Sequence, residues 1–234
     1  MIGGESQMNI SARLLTDTLM LLLLLLLMAD RHTGNMAHEW LGVLLLTAIL
    51  LHAWLNRTWF STLRKGKYTL FRSIRLILNG LLFIFITGTL ASAVIISQTV
   101  FAFAGFKGEL FFRTIHVFCA HWSFLLSAIH LGLYGKRFCN ALGSQAPHLY
   151  SEKSRCLFFG LGAAVAAYGV HAFQQRELIY SLTMRSSFMP WSENAALFLL
   201  DYSTILFLGV WIVSLLSFLA SRWRKGSFSP SPWL

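Results

Sequence analysis

The sequence predicts an all-α, polytopic membrane protein, a helical bundle of about six transmembrane helices. Two features of its composition carry this prediction: 56% of the 234 residues are hydrophobic, and only 12% are charged. The third observation is that apolar runs long enough to cross a hydrocarbon core of about 30 Å recur along the chain. Short basic, polar or aromatic segments separate them, as is typical of a membrane domain with short loops.

The expected spans follow the apolar runs in order. The first contains LMLLLLLLLMA and lacks the small-residue cleavage pattern of a secretory signal, so we expect it to be retained. Together the spans form one domain, 1–225, followed by a short disordered tail, 226–234. Their predicted bounds are 14–29, 36–56, 76–97, 113–134, 156–173 and 195–220.

Glycine and other small residues mark two of these spans. In the third span, the small residues around Gly80 and Gly88 allow either a flat macrocycle or a neighbouring helix to come close. In the fifth span, GLGAAVAAYG indicates close packing against the bundle. Between the second and third spans, Gly66 centres a turn within a basic loop.

The net charge of +10 is read as a membrane signal. Lysine and arginine cluster beside apolar runs and not along a polar face, which favours anchoring to acidic lipid headgroups over nucleic-acid binding. With the N-terminus inside, the inner segments hold fourteen basic residues and the outer segments five. The positive-inside rule then predicts that both termini are cytoplasmic.

Two pairs of histidines share one spacing. His38 and His52 lie fourteen residues apart, as do His116 and His130. Fourteen steps of about 100° fall about 40° short of four turns, so each pair leaves nearly one helix face, with an axial rise of about 21 Å. Two such helices can hold two b-type haems, with iron bound by an outer pair, His38 and His116, and an inner pair, His52 and His130.

Other interpretations of these histidines stay open. An intramembrane histidine also serves in proton paths, or simply bonds a neighbouring carbonyl group. Zinc is disfavoured, because ligands about 21 Å apart on one helix cannot share an ion. The cysteines, Cys119, Cys139 and Cys156, form no CxxC pattern, so neither c-type haem nor an iron–sulfur cluster is indicated.

Basic residues near the four histidines are candidate partners for haem propionates. Arg31 and Arg113 precede the outer pair, and Arg57 and Lys136 follow the inner pair. Such residues also mark the ends of spans without any cofactor. Asp17, inside the first span, is either a carboxylate at headgroup level or a proton or quinone contact.

Several segments resemble a known family. The runs LLTDTLMLLLLLLL, HEWLG, HAWLNRTWFSTLRKGKYTLFR and HVFCAHWSFLLSAIHLGL are similar to the flavinylation-associated cytochrome family, which resembles bis-haem cytochromes b and ferric reductase transmembrane domains. The resemblance implies a cytochrome b-like four-helix haem core with His38, His52, His116 and His130 as ligands. It also implies electron exchange with a partner that carries covalently attached flavin.

The expected function is transmembrane electron transfer through two bis-histidine b haems. Electrons would pass between a quinone pool or inner donor and the flavin-carrying partner. FMN belongs on that partner, because this chain has no glycine-rich nucleotide motif and no soluble domain. An electron-transfer subunit of an oxidoreductase is therefore favoured over two alternatives: a non-redox transporter or assembly factor, and a self-contained quinone or metal reductase.

Overall fold

The computed structural model describes residues 2–106, 110–143, 152–185 and 194–226, with side chains over 12–106, 110–134, 160–185, 194–217 and 219–220. All regular secondary structure in these ranges is helical, which confirms the all-α prediction. In chain order the helices are α1 (Ile2–Met28), α2 (Asp30–Thr33), α3 (Asn35–Leu55), α4 (Thr58–Thr62), α5 (Leu70–Ile96), α6 (Leu110–Gly143), α7 (Glu152–Gln175), α8 (Leu178–Leu182) and α9 (Ala195–Gly226), with a 3-10 turn at Ala102–Ala104.

Four segments of the described residues are long and apolar enough to cross a membrane. Hydrocarbon offers no hydrogen bonds to an exposed backbone, so helices of this length satisfy their own amide groups. The chain is therefore an all-helical membrane protein. The predicted first and fifth spans are helical but are not among the four, so the number six stays a prediction. The four segments are Asn35–Leu55, Leu70–Ile96, Leu110–Tyr134 and Ala195–Ser217.

Five helices, α1, α5, α6, α7 and α9, are longer than their predicted spans. Helix α5 begins at Leu70, inside the expected basic loop, because the Thr69 side chain caps it by accepting a hydrogen bond from the Arg72 amide. Helix α6 continues through Gly143, where a loop was expected. Gly66 adopts φ +79°, as its predicted turn requires. Beyond residue 226, the predicted tail lies outside the described residues.

Contacts between successive long helices show that they alternate in direction. The Arg13 guanidinium donates from α1 to the Leu55 carbonyl at the far end of α3, at 2.9 Å. Ser97, just after α5, donates to Glu39 near the start of α3. We call the two ends of the bundle the His38 end and the His52 end, after the histidines that α3 places there.

The core lies around α6 and α9. Helix α6 packs along α5 on one side and along α9 on the other, and α7 packs on the outer side of α9. Phe124, Leu178 and Ile205 are the largest fully buried side chains described. Each removes apolar surface from contact with lipid or water, so these helices form the tightest part of the bundle.

Glycines allow these helices to approach closely. A Cβ atom at Gly162 would lie 3.0 Å from the Trp211 ring, and one at Gly169 would lie 2.5 Å from the Thr204 carbonyl oxygen. The predicted close packing of the fifth span is therefore confirmed at these two positions. A Cβ atom at Gly88 would lie 2.8 Å from Cys119 Sγ, so this glycine allows α5 and α6 to pack closely.

Helix α3 stands apart from this core. It packs along α1 and does not pack along α5 or α6. In α3, all of whose side chains are described, only Ala48 is buried. The α1–α3 pair is thus separated from α5 and α6 by an internal space, which holds the candidate site.

A buried ion pair joins α7, through the turn after it, to the start of α9. Arg176 Nε and Nη2 donate to Asp201 Oδ2 at 2.9 and 2.7 Å, and the Tyr168 hydroxyl donates to Asp201 Oδ1 at 2.7 Å. Only 4% of Arg176 and 5% of Asp201 is exposed. A charge so deeply buried depends on its partner.

Asp201→Asn tests this clamp. The substitution keeps the side-chain shape but leaves the Arg176 charge without a carboxylate, so we expect a loss of about 3–5 kcal/mol of stability. Thermal unfolding in detergent measures this as a clearly lower midpoint. Glu177→Gln is the matched control, since no ion pair or hydrogen bond of the Glu177 side chain is found within the described residues. Equal midpoints for the two variants would contradict the assignment.

Candidate functional site, a cavity lined by histidines

A cavity of about 2690 Å³ lies between the α1–α3 pair and helices α5, α6 and α9. Pockets for one small ligand typically measure about 300–1,000 Å³, so this space has room for more than one large group. Its walls are mostly leucine, isoleucine and other apolar side chains. All four singled-out histidines line it: His38 and His52 from α3, and His116 and His130 from α6.

At the His38 end, the rings of His38 and His116 face each other across the cavity. Their centroids lie 6.1 Å apart, with 70° between the ring planes. A metal bound to one nitrogen of each ring, with bonds of about 2.0–2.1 Å, also places the two ring centres about 6 Å apart. The observed separation therefore fits a metal held between the rings.

Hydrogen bonds orient His116. Its Nδ1 lies 3.1 Å from the Thr89 carbonyl oxygen and 3.3 Å from Ser92 Oγ, both on α5. Ser92 in turn donates to the Gly88 carbonyl at 2.7 Å, so its hydroxyl is itself fixed. Because a carbonyl only accepts, it favours a proton on His116 Nδ1, which leaves Nε2 unprotonated for a ligand.

The two histidines at the His52 end are held in the same manner. His130 Nδ1 lies 3.0 Å from Asn79 Oδ1 on α5. His52 Nδ1 lies 2.6 Å from Asp17 Oδ1 on α1. Both acceptors favour a proton on Nδ1, so the other nitrogen of each ring is again available. This pairing of imidazole Nδ1 with carboxylate or carbonyl is common around histidine metal ligands.

His38 differs from the other three. Its Nδ1 is buried and has no hydrogen-bond partner within the described residues. A buried polar atom without a partner is costly, and such atoms recur where a ligand or ordered water completes the site.

The two inner rings also differ from the outer pair: His52 and His130 line the same cavity, but no direct contact between their rings is found in the described structure.

Of these four donors, only His38 and His116 lie in direct ring contact within the described structure. Among the described residues, no group of three or more histidine, cysteine, aspartate or glutamate side chains can hold a metal ion. Two facing imidazoles instead suit a metal whose remaining ligands come from a flat macrocycle, as in a b-type haem. Gly42 and Gly80 line the cavity, and a Cβ at either would meet nothing within 4 Å, so the walls leave open space there.

Arginines lie at both ends of the cavity. Arg31 and Arg113 line it at the His38 end, as the sequence suggested, and Arg13 and Arg75 line it at the other end. Arg57 is not a lining residue. Its guanidinium lies 4.9 Å from the Trp54 ring centroid and donates to the Trp54 carbonyl, so it contacts the end of α3 and not the cavity. The side chain of Lys136 lies outside the described residues.

Glu39 fixes the backbone at the His38 end. Its carboxylate accepts hydrogen bonds from the turn that follows α5: from Ser97 Oγ at 2.7 Å and from the amides of Gln98 and Val100, both at 2.8 Å. Hydrogen bonds to a charged acceptor are stronger than neutral ones. This contact ties α3 to the end of α5 at the residue next to His38, where the two helices are otherwise apart.

The remaining polar candidates lie away from the cavity. His121 is half-buried and contacts the Val117 carbonyl at 2.8 Å and the Tyr202 hydroxyl at 3.3 Å. His171 is exposed and lies beside Tyr168. Cys119 is a buried free thiol against Gly88.

Sequence reasoning missed the partners of the histidines. Asp17 was singled out as an intramembrane carboxylate, but its hydrogen bond with His52 was not predicted. The two residues lie on different helices, and no sequence pattern near either residue indicates the contact. Asn79 and Ser92 were not recognised. Their signal was available: a lone amide or hydroxyl within an apolar helix usually faces a polar partner inside the bundle.

In comparisons with family models, with curated proteins and with solved structures, nothing matches this chain. The resemblance to flavinylation-associated cytochromes stays a prediction.

Filling the cavity tests whether it holds a cofactor. Gly42→Leu and Gly80→Leu add side chains at points where the walls are open, so each variant should lose haem after expression with excess haem. Pyridine haemochrome analysis gives the haem per chain. Gly160→Leu is the control, because Gly160 also has open space around it but does not line the cavity. Full haem content in both cavity variants would exclude this space as the binding site.

Proposed function

We propose that this protein carries single electrons across a membrane through two b-type haems, one held by His38 and His116 and one by His52 and His130. The observation that supports this most strongly is the outer histidine pair, whose ring centroids lie 6.1 Å apart across a large apolar cavity. The inner pair lines the same cavity one fourteen-residue interval further along each helix. The pairs then form a path between the two membrane faces.

The protein side chains in this proposal hold and orient the imidazoles. Thr89 and Ser92 fix His116, Asn79 fixes His130, and Asp17 fixes His52. Haem, when bound, would supply reversible one-electron exchange. With two histidines holding each haem, the sites would transfer electrons and not activate oxygen.

Charge at the cavity ends supports the same proposal. Arg31 and Arg113 at one end, and Arg13 and Arg75 at the other, offer guanidinium groups to the propionates of a haem at each end. Arg13 and Arg75 take the role that the sequence had suggested for Arg57. Apolar walls between the two ends would exclude water and keep the electron path dry.

Partner and location are part of the proposal. On the strength of the resemblance, the donor is a quinone pool or another inner donor, and the acceptor is a partner protein that carries covalently attached FMN. The excess of basic residues in alternate loops supports cytoplasmic termini in a bacterial inner membrane. The chain is then an electron-transfer subunit and not a complete enzyme.

One observation favours a second candidate function. Asp17 Oδ1 lies 2.6 Å from His52 Nδ1, and a carboxylate–imidazole pair inside a membrane is also typical of proton paths. In that case the protein would be a non-redox membrane module. A haem-free protein, purified from haem-replete cells, would favour this candidate.

Histidine variants test the main proposal. The wild type should contain two b haems per chain by pyridine haemochrome analysis. His38→Ala and His116→Ala should each lose about one, and the double variant should lose no more than either single variant, because both residues serve one site. His121→Gln, on the same helix but off the cavity, should keep both haems.

Two results would overturn the proposal. If the wild type contains no haem after expression with excess haem, it cannot transfer electrons through haem. A double variant without any haem, when each single variant keeps one, would show that the two substitutions remove different haems. His38 and His116 would then not share a site.

A further inference from the structure

A second, smaller pocket opens at the His52 end of the bundle. Its volume is about 640 Å³, and its walls come from α1, α4, the start of α5 and the end of α6. We call it the arginine pocket, because Arg13, Arg72 and Arg75 line it and none of its lining residues in the described part of the chain is acidic. Trp59 and Tyr134 are among the aromatic residues on its walls.

The three arginines carry positive charge that the described protein does not neutralise. None of them forms an ion pair within the described residues. Arg13 donates to the Leu55 carbonyl at 2.9 Å, and Arg72 donates to the Thr62 carbonyl at 2.6 Å. These contacts hold the two side chains in place, but a neutral carbonyl leaves each net charge uncompensated.

Arg75 is the most available of the three. Its guanidinium lies 5.2 Å from the Tyr134 ring centroid, and no hydrogen bond or ion pair of this side chain is found within the described residues. A guanidinium offers five N–H donors in a fixed plane that matches the two oxygens of a carboxylate or phosphate. The Tyr134 ring holds this guanidinium through a cation–π contact at the wall of the pocket.

The arginine pocket adjoins the histidine-lined cavity. Arg13, Arg75 and Tyr134 line both spaces. A molecule that enters the pocket can therefore place a charged end among the arginines and an apolar part in the cavity. Aromatic and basic side chains at the end of a membrane bundle typically lie at the level of lipid headgroups.

We infer that the arginine pocket binds the oxyanion of an amphiphile, with Arg75 as its main ligand. Two sources of that oxyanion share this chemistry: the phosphate of an anionic phospholipid, and a carboxylate of a cofactor that occupies the cavity. The second source rests on the proposed function. The first does not, since it needs no haem.

The test compares Arg75→Gln with Arg57→Gln in the full-length protein. Arg57 lies near the same end of the bundle but lines neither space, so it is the matched control. Two quantities are measured on each variant: retention of phosphatidylglycerol over phosphatidylcholine by native mass spectrometry, and the rate of haem release to a haem acceptor. Thermal unfolding verifies that both variants fold, and Arg75→Lys, which keeps the charge without the planar fork, gives a second measure of the same site.

Each outcome decides the inference. If a lipid phosphate is the ligand, Arg75→Gln reduces the preference for phosphatidylglycerol by about tenfold or more, and Arg57→Gln leaves it unchanged. If a cofactor carboxylate is the ligand, Arg75→Gln leaves lipid preference unchanged and accelerates haem release. Arg75→Lys should show a smaller change of the same kind.

The inference is wrong if Arg75→Gln and Arg57→Gln behave alike in both measurements. If the protein proves to contain no haem, the proposed function fails, and lipid preference alone then decides whether the arginine pocket is a binding site.

Discussion

The requirement that a buried imidazole nitrogen be satisfied organises this structure. An unpaired polar group inside a membrane is costly, and this chain directs four histidines into one apolar cavity. Three of the rings meet that requirement at Nδ1, through Asp17, Asn79, or Thr89 with Ser92. His38 is the exception, because its buried Nδ1 has no hydrogen-bond partner among the described residues.

Packing elsewhere allows this cavity to exist. Helices α6, α7 and α9 meet through glycines at close range and through the buried Arg176–Asp201 pair, so that side of the bundle is tight. On the other side, α3 is connected through α1 and through the hydrogen bonds of Glu39, and not through a shared core with α5 and α6. The tightly packed side, α6, α7 and α9, and the open side, α1 and α3, thus belong to one bundle. The Glu39 hydrogen bonds connect α3 to the end of α5 at the His38 end.

Sequence reasoning found the helices and the four histidines because both are periodic along the chain. The fourteen-residue interval by itself places His38 and His52 on nearly one face, and the structure has both on the cavity. Partners on another helix have no such signal, so Asp17 could be noted but not assigned to His52. Proximity in sequence also misled: Arg57 follows His52 closely, but its side chain lies against Trp54 and does not line the cavity. Arg13 and Arg75, which do line the cavity, come from distant segments.

The most direct measurement is an experimental structure of the wild type from haem-replete cells, determined by electron cryomicroscopy with a bound antibody fragment in a lipid nanodisc. The account predicts density for a flat macrocycle between His38 and His116, and a second between His52 and His130. Lipid chains or side chains filling the cavity, with His38 and His116 bonded to protein groups at both ring nitrogens, would contradict it.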